Sequence, residues 1–231
     1  MGNAPNAGYW LIALNLQREE GLQPMTDEID EAVASWKRQN PDQDIGDRLY
    51  DFISTAKLPL LTSAIQETLR YTTSVTPFRR VIEPVELGGY RFDTDDEIAC
   101  VTRSVHFDEE IHENAQEYNP RRYMAEKRPS KNGKIVTNHS MVWGGGVSMC
   151  EGRYGDSPVP SPPEVRGCQL IQLSRHFAVR ELKAFMAFLL MRYTLEVDPN
   201  FAERPTFVWE RVGAGVMDPR GDLRVILHAR K

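Results

Sequence analysis

Cysteine is scarce in this chain. Cys100, Cys150 and Cys168 are the three in 231 residues, and an odd, sparse set builds no disulfide framework. No CxxC pair or Cys/His spacing suggests zinc. Free thiols fit a reducing compartment, or a protein facing the cytosol from a membrane. Long apolar runs are lacking too. No stretch approaches the roughly 18 apolar residues of a membrane span. Residues 8–16 (GYWLIALNL) are too few, and residues 178–193 carry Arg180, Glu181, Lys183 and Arg192. The N-terminus lacks a signal peptide's basic region and cleavage site. Positive charge is not in excess. The formal net charge is −5 and the pI is near 5.6, and basic residues pair (Arg79-Arg80, Arg121-Arg122) rather than form tracts. That balance argues against general affinity for nucleic acid or an anionic membrane surface. There is no internal repeat.

What is present can build a core. Hydrophobic residues make up 41%, and the length suits one large domain or two small ones. Residues 3–17 (NAPNAGYWLIALNLQ) are apolar from the first turn and show no clear cap, so this helix is expected to start upstream. Thr26 is expected to cap a helix over residues 27–37, with Asp27, Glu28, Asp30 and Glu31 at the positive end of its dipole. Residues 40–48 read as a polar loop. A second helix is predicted over residues 58–71: Pro59 suits its first turn, and Leu61, Ala64, Ile65, Thr68 and Leu69 share a face. The period changes over residues 78–101, which read as two or three short strands turning at Gly88-Gly89. Residues 105–123 read as short helix and loop, and 126–137 as a charged surface loop. Residues 176–197 read as a long helix running into a strand, and the tail as a hairpin turning near 218–222.

The chemistry concentrates in Trp143-Gly144-Gly145-Gly146-Val147-Ser148-Met149-Cys150-Glu151-Gly152-Arg153. The glycines allow backbone angles other residues avoid and let the chain approach a flat ligand. A thiolate here would need backbone N–H groups around the sulfur to stabilise its charge. Alone, the loop also reads as a glycine turn with a buried structural cysteine. Upstream, Glu67-Thr68-Leu69-Arg70 places a carboxylate and a guanidinium on one helix face. By itself such a pair is most often a solvated surface pair.

Together these segments resemble the cytochrome P450 family. The haem signature of that family runs aromatic, two residues, glycine, three residues, cysteine, one residue, glycine. Trp143, Gly146, Cys150 and Gly152 fall on those positions. Trp143 replaces the usual phenylalanine, and Ser148 stands where a basic residue often contacts a haem propionate. Glu67 and Arg70 match the family's ExxR, and Pro120-Arg121-Arg122-Tyr123 its Pro-x-Arg-aromatic segment. The resemblance implies a buried ionic triad of Glu67, Arg70 and Arg122, a structural device that fixes geometry more than it adds net stability. It implies haem as cofactor, Cys150 as axial iron ligand, and Arg79 on the first strand as the propionate partner. An exposed strand charge is the plainer reading of Arg79.

The same resemblance places residues 2–17 in the long helix that crosses the haem on its oxygen side. The usual acid and threonine are replaced by Pro5 and Asn6. Pro5 is expected to open a backbone hydrogen bond and kink the helix. Asn6 is the distal-side catalytic candidate; a helix-start residue without catalytic role is the alternative. This departure, like Trp143, resembles the branch that includes sterol 7α-hydroxylases and prostacyclin synthase. The implied fold is mainly α with small β-sheets, a truncated cytochrome P450 fold. Residues 1–231 form the C-terminal part of a single domain. The implied function is haem-thiolate monooxygenation of a sterol, lipid or other apolar small molecule. Dioxygen and, for a full-length form, an NADPH-dependent reductase would be its partners, at the endoplasmic reticulum membrane. A haem-thiolate peroxide isomerase and a truncated fragment without activity are the alternatives.

Residues 154–175 (YGDSPVPSPPEVRGCQLIQLSR) depart from the family, whose cysteine loop runs straight into the next helix. Joining Arg153 to His176 gives CEGRHFAVRELKAFMAFLL, an ordinary family sequence. The 22 Pro/Ser-rich residues do not suit a helix. They are expected to be an aberrant insertion, a retained intron translated in frame, with a surface loop as the alternative.

Overall fold

The computed structural model describes residues 3–125, 129–137, 139–144, 174–201, 203–211 and 213–230. Four long or medium helices make its body: α1 (Asn3–Leu16), α2 (Gln23–Gln39), α4 (Pro59–Thr72) and α6 (Ser174–Arg192). Two shorter ones, α3 (Leu49–Thr55) and α5 (Arg103–His106), join them. α6 packs against α1, α2, α3 and α4, and α1 lies against α4. Their shared core holds Leu11, Ile29, Phe52, Leu61, Ile65, Met186 and Leu190. Burial of these apolar side chains, at about 1.5–3 kcal/mol each, is the main force assembling the helices.

Local chemistry sets the helix ends, not always as the sequence suggested. α2 starts earlier than expected. Its N-cap is Leu22, Pro24 occupies the first turn, and Thr26 sits inside the helix with its hydroxyl donating to the Leu22 carbonyl. Glu28 does not serve its own helix end. Its carboxylate accepts from the Leu60 and Leu61 amides at 2.6 and 2.9 Å. It thus caps α4, whose own N-cap residue Leu58 offers no side-chain bond. Pro5 lies in the first turn of α1. The described helix continues through it.

The strands form small two-stranded sheets. β1 (Thr73–Val75) follows α4 directly and pairs antiparallel with β10 (Ala214–Val216). β2 (Phe78–Arg80) pairs with β5 (Glu97–Ala99). β3 (Val85–Leu87) and β4 (Tyr90–Phe92) form the expected hairpin, with Gly88 and Gly89 at φ +61° and +83°. The charged stretch after residue 128 holds a hairpin of β6 (Ser130–Lys131) and β7 (Lys134–Ile135). α6 runs into β8 (Tyr193–Val197) as expected. The tail is not one hairpin. β9 (Thr206–Phe207) pairs with β11 (Pro219–Arg220), β10 with β1, and β12 (Val225–Ala229) with β8.

Candidate functional site

α4 carries Glu67 and Arg70 one turn apart, both fully buried. The Arg70 guanidinium grips the carboxylate in a two-pronged pair, Nε to Oε2 and Nη2 to Oε1, each at 2.8 Å. Arg122 arrives from a distant loop and donates its Nε to Oε2 at 2.9 Å. The Asn119 amide donates to Oε1 at 2.9 Å. The structure therefore brings Glu67, Arg70 and Arg122 into one cluster.

The remaining donors of the arginines read backbone carbonyls. Arg70 Nη1 donates to His106 and Ala115, and Arg122 Nη2 to Asn114 and Glu117. Two cations on one carboxylate thus template the irregular 113–122 segment, where no helix or sheet could satisfy these carbonyls. Tyr118 ties the segment to the helices, bonding Asn15 of α1 at 2.9 Å and Thr68 of α4 at 3.0 Å.

Two histidines that the sequence reading passed over extend this cluster. His106, fully buried, gives its carbonyl to Arg70 and its Nε2 to the Met141 amide at 3.0 Å. An N–H donating to Nε2 requires that nitrogen unprotonated, so the proton sits on Nδ1. Burial, then Arg70, His112 and Arg103, depress its pKa to about 4. His112 Nε2 lies 2.9 Å from the His139 carbonyl, and burial likewise depresses it to about 4. Nothing in the local spacing marks either residue; their partners lie about thirty residues away in the chain.

Met141 opens a turn closed by the Gly144 amide on the Met141 carbonyl at 3.0 Å, with Gly144 at φ +78°. That turn sets Val142, Trp143 and Gly144 on a cleft of about 310 Å³. Its other walls come from α1 (Asn3, Ala4, Ala7), the start of α6 (Ala178, Leu182) and the β1–β10 sheet. Trp143 is half-buried there. Gly146, Cys150 and Gly152 lie outside the described residues, as do residues 154–173. Arg79 does not line the cleft; its Nη1 donates to the Phe78 carbonyl at 2.8 Å. Asn6 does not line it either. Its amide donates to Asp218 at 2.7 Å, and Asn3, one turn earlier, is the α1 asparagine on the cleft.

The profile of one family, "Cytochrome P450", matches residues 10–154. The chain belongs to the cytochrome P450 family. It is 25% identical over 231 residues to cholesterol 7-alpha-monooxygenase of Cricetulus griseus, covering 96% of this chain and 41% of that protein. It is 27% identical over 235 residues to 7-alpha-hydroxycholest-4-en-3-one 12-alpha-hydroxylase of Homo sapiens, covering 96% and 42%. Prostacyclin synthase of Rattus norvegicus matches at 24% identity, covering 99% and 43%. The chain thus spans about two fifths of the length of these relatives. The crystal structure of the cytochrome P450DA heme domain superposes with a TM-score of 0.67 at 14% identity, covering 99% of this chain and 41% of that one. The fold is a truncated cytochrome P450 fold, mainly helical with small sheets.

Haem is the cofactor of this P450 fold. The residues present fit it. Ala4 and Ala7 leave room along α1, Leu69, Leu182 and Val216 give apolar walls, and Gly144 lets backbone approach closely. The turn at Met141 delivers the chain to the cleft just before Cys150. Among the described residues no helix is long and apolar enough to cross a membrane.

Proposed function

We propose that this chain supplies the thiolate side of a haem monooxygenase acting on a sterol, lipid or other apolar small molecule. The observation that carries the reading is the cleft. It is walled by small and apolar groups, and residues 142–144 line it on the way to Cys150. When bound, haem supplies oxygen activation at its iron. Cys150 would hold the iron through its thiolate, which would push electron density toward the metal. Glu67, Arg70 and Arg122 hold the segment that leads into the cysteine loop. In this reading Gly146 and Gly152 would give the cysteine loop its backbone freedom, and Trp143, which lines the cleft, would hold the haem. Arg79 would be the propionate partner; its Nη1 donates to the Phe78 carbonyl, and its guanidinium carries further donors.

Relatives named as 7α- and 12α-hydroxylases favour a sterol-like substrate. Dioxygen, an NADPH-dependent reductase and an endoplasmic reticulum membrane complete the reading for a full-length form. Prostacyclin synthase among the relatives favours a second reading, rearrangement of a peroxide without reductase. Turnover that survives removal of dioxygen and reductase selects it. Residues 154–175 belong to the reading as an aberrant insertion; the family match, which ends at residue 154, supports this.

The test is an absorbance spectrum of the purified chain after haem addition, reduced and exposed to carbon monoxide. The expected result is the red-shifted Soret band of a thiolate ligand, lost in Cys150→Ser. A band typical of a neutral ligand, or one unchanged by the substitution, would overturn the assignment of Cys150.

A further inference from the structure

α1 presents two faces to the end of the chain. Ala4 and Ala7 turn small side chains to the cleft. Asn3, Asn6 and Trp10, spaced three and four residues apart, share a neighbouring face and all reach the stretch just after Gly215. The Asn3 Oδ1 accepts from the Val216 amide at 3.2 Å. The Trp10 Nε1 donates to the Met217 carbonyl at 2.8 Å, a fully buried bond. The Asn6 amide donates to the Asp218 carboxylate at 2.7 Å, whose other oxygen accepts from Arg211 at 3.1 Å. Consecutive residues 216, 217 and 218 are thus each held by one α1 side chain.

The strand they hold needs such support. β10 pairs with β1 over three residue pairs, and a two-stranded ribbon of that length is marginal in water. Gly213 and Gly215 stand at φ +101° and +119°, where the chain has little intrinsic stiffness. Gly215 also lies so close to Asn3 that a Cβ there would collide with its Oδ1. Val216 and Gly215 line the cleft opposite α6. Whatever fixes residues 214–218 fixes that wall.

We propose that Asn3, Asn6 and Trp10 form a clamp that positions β10 as a wall of the cleft, and that Asn6 acts through Asp218 rather than on a ligand. Asn6 and Trp10 are positioning residues. The clamp sets how wide the cleft opens between α1 and the strand, and so which apolar ligand outlines fit. What the cleft holds rests on the P450 reading; the clamp itself does not.

The test is hydrogen exchange of the full chain without haem, read in peptides covering residues 213–218 and, as an internal control, α4. Asn6→Asp sets two carboxylates against each other and is expected to speed exchange over 213–218 at least tenfold, leaving α4 unchanged. Asp218→Asn added to Asn6→Asp restores a donor–acceptor pair of reversed sense and is expected to return protection to within about twofold of the parent chain. Trp10→Phe keeps the ring and removes the donor, and is expected to speed exchange in the same peptide. Equal loss in α4 would make these groups general props of the fold and overturn the proposal. So would a double variant that exchanges as fast as Asn6→Asp. Absence of haem binding would bear on the P450 reading and leave these outcomes intact.

Discussion

A single residue, His106, links the ionic cluster to the cleft. Its carbonyl holds Arg70 and its ring holds the Met141 amide, where the turn into the cleft begins. The ring link needs a neutral imidazole, and burial, with Arg70 nearby, keeps it so by lowering its pKa to about 4. In an unfolded chain the ring titrates near 6.5. Above that value it is neutral in both states and contributes no pH dependence. As pH falls from about 6.5 toward 4, the unfolded chain takes up a proton that the folded chain refuses. Stability should therefore drop by about 1.4 kcal/mol per pH unit in that window and level off below it. His112, also buried and depressed to about 4, adds a similar slope over the same window. Urea melts between pH 4 and 7 check this. His106→Gln retains an amide oxygen that can accept from Met141 and should remove about half of the slope. A slope untouched by that change would assign it to other groups.

Elements differ in how far sequence alone reveals them, and the difference is one of range. α4 was legible because its main signals are local: a proline in the first turn, an apolar stripe, and a charged pair one turn apart. The β3–β4 hairpin was legible through its Gly88-Gly89 turn. The ionic cluster was legible because each half is a short motif, although 55 residues separate Glu67 from Arg122. By contrast, α3 has only seven residues, and Phe52 and Ile53 hold it by packing into the core. The tail misled because its strands pair with partners far away: Ala214 with Val75, Ala229 with Tyr193. Glu28 shows the same thing within one residue. Its position in α2 suggested service to its own dipole, yet it caps α4 from across the helix interface. Removing that cap by Glu28→Ala should cost about 1–2 kcal/mol, read as a lowered urea midpoint. Glu28→Gln, which keeps one acceptor oxygen, should recover part of the loss. An unchanged midpoint in Glu28→Ala would show that water replaces the carboxylate without cost.

At the scale of the molecule, the P450 architecture joins two things that this sequence sets apart: the cysteine segment and the start of α6. The described residues stop at Gly144 on one side and resume with α6 at Ser174 on the other, both beside the same cleft. A helix N-terminus stabilises a nearby anion and lowers the pKa of a nearby thiol, an effect confined to about the first turn. Residues 154–175 put 22 positions between Arg153 and His176, and the expectation is that they weaken that stabilisation of Cys150. Deleting them joins Arg153 to His176, the third residue of α6, and sets Cys150 four positions before it in the chain. A contribution of up to about 2 kcal/mol from the helix terminus corresponds to roughly a thirtyfold change in thiolate stabilisation. Haem titration of the parent chain and the deletion variant, followed by the reduced carbon monoxide spectrum, measures it. Tighter haem retention with a larger thiolate-type band in the deletion variant is the expected outcome. Equal affinity and equal spectra would mean that the insertion leaves the cysteine's surroundings intact, and would turn the interpretation of residues 154–175 toward a tolerated surface loop.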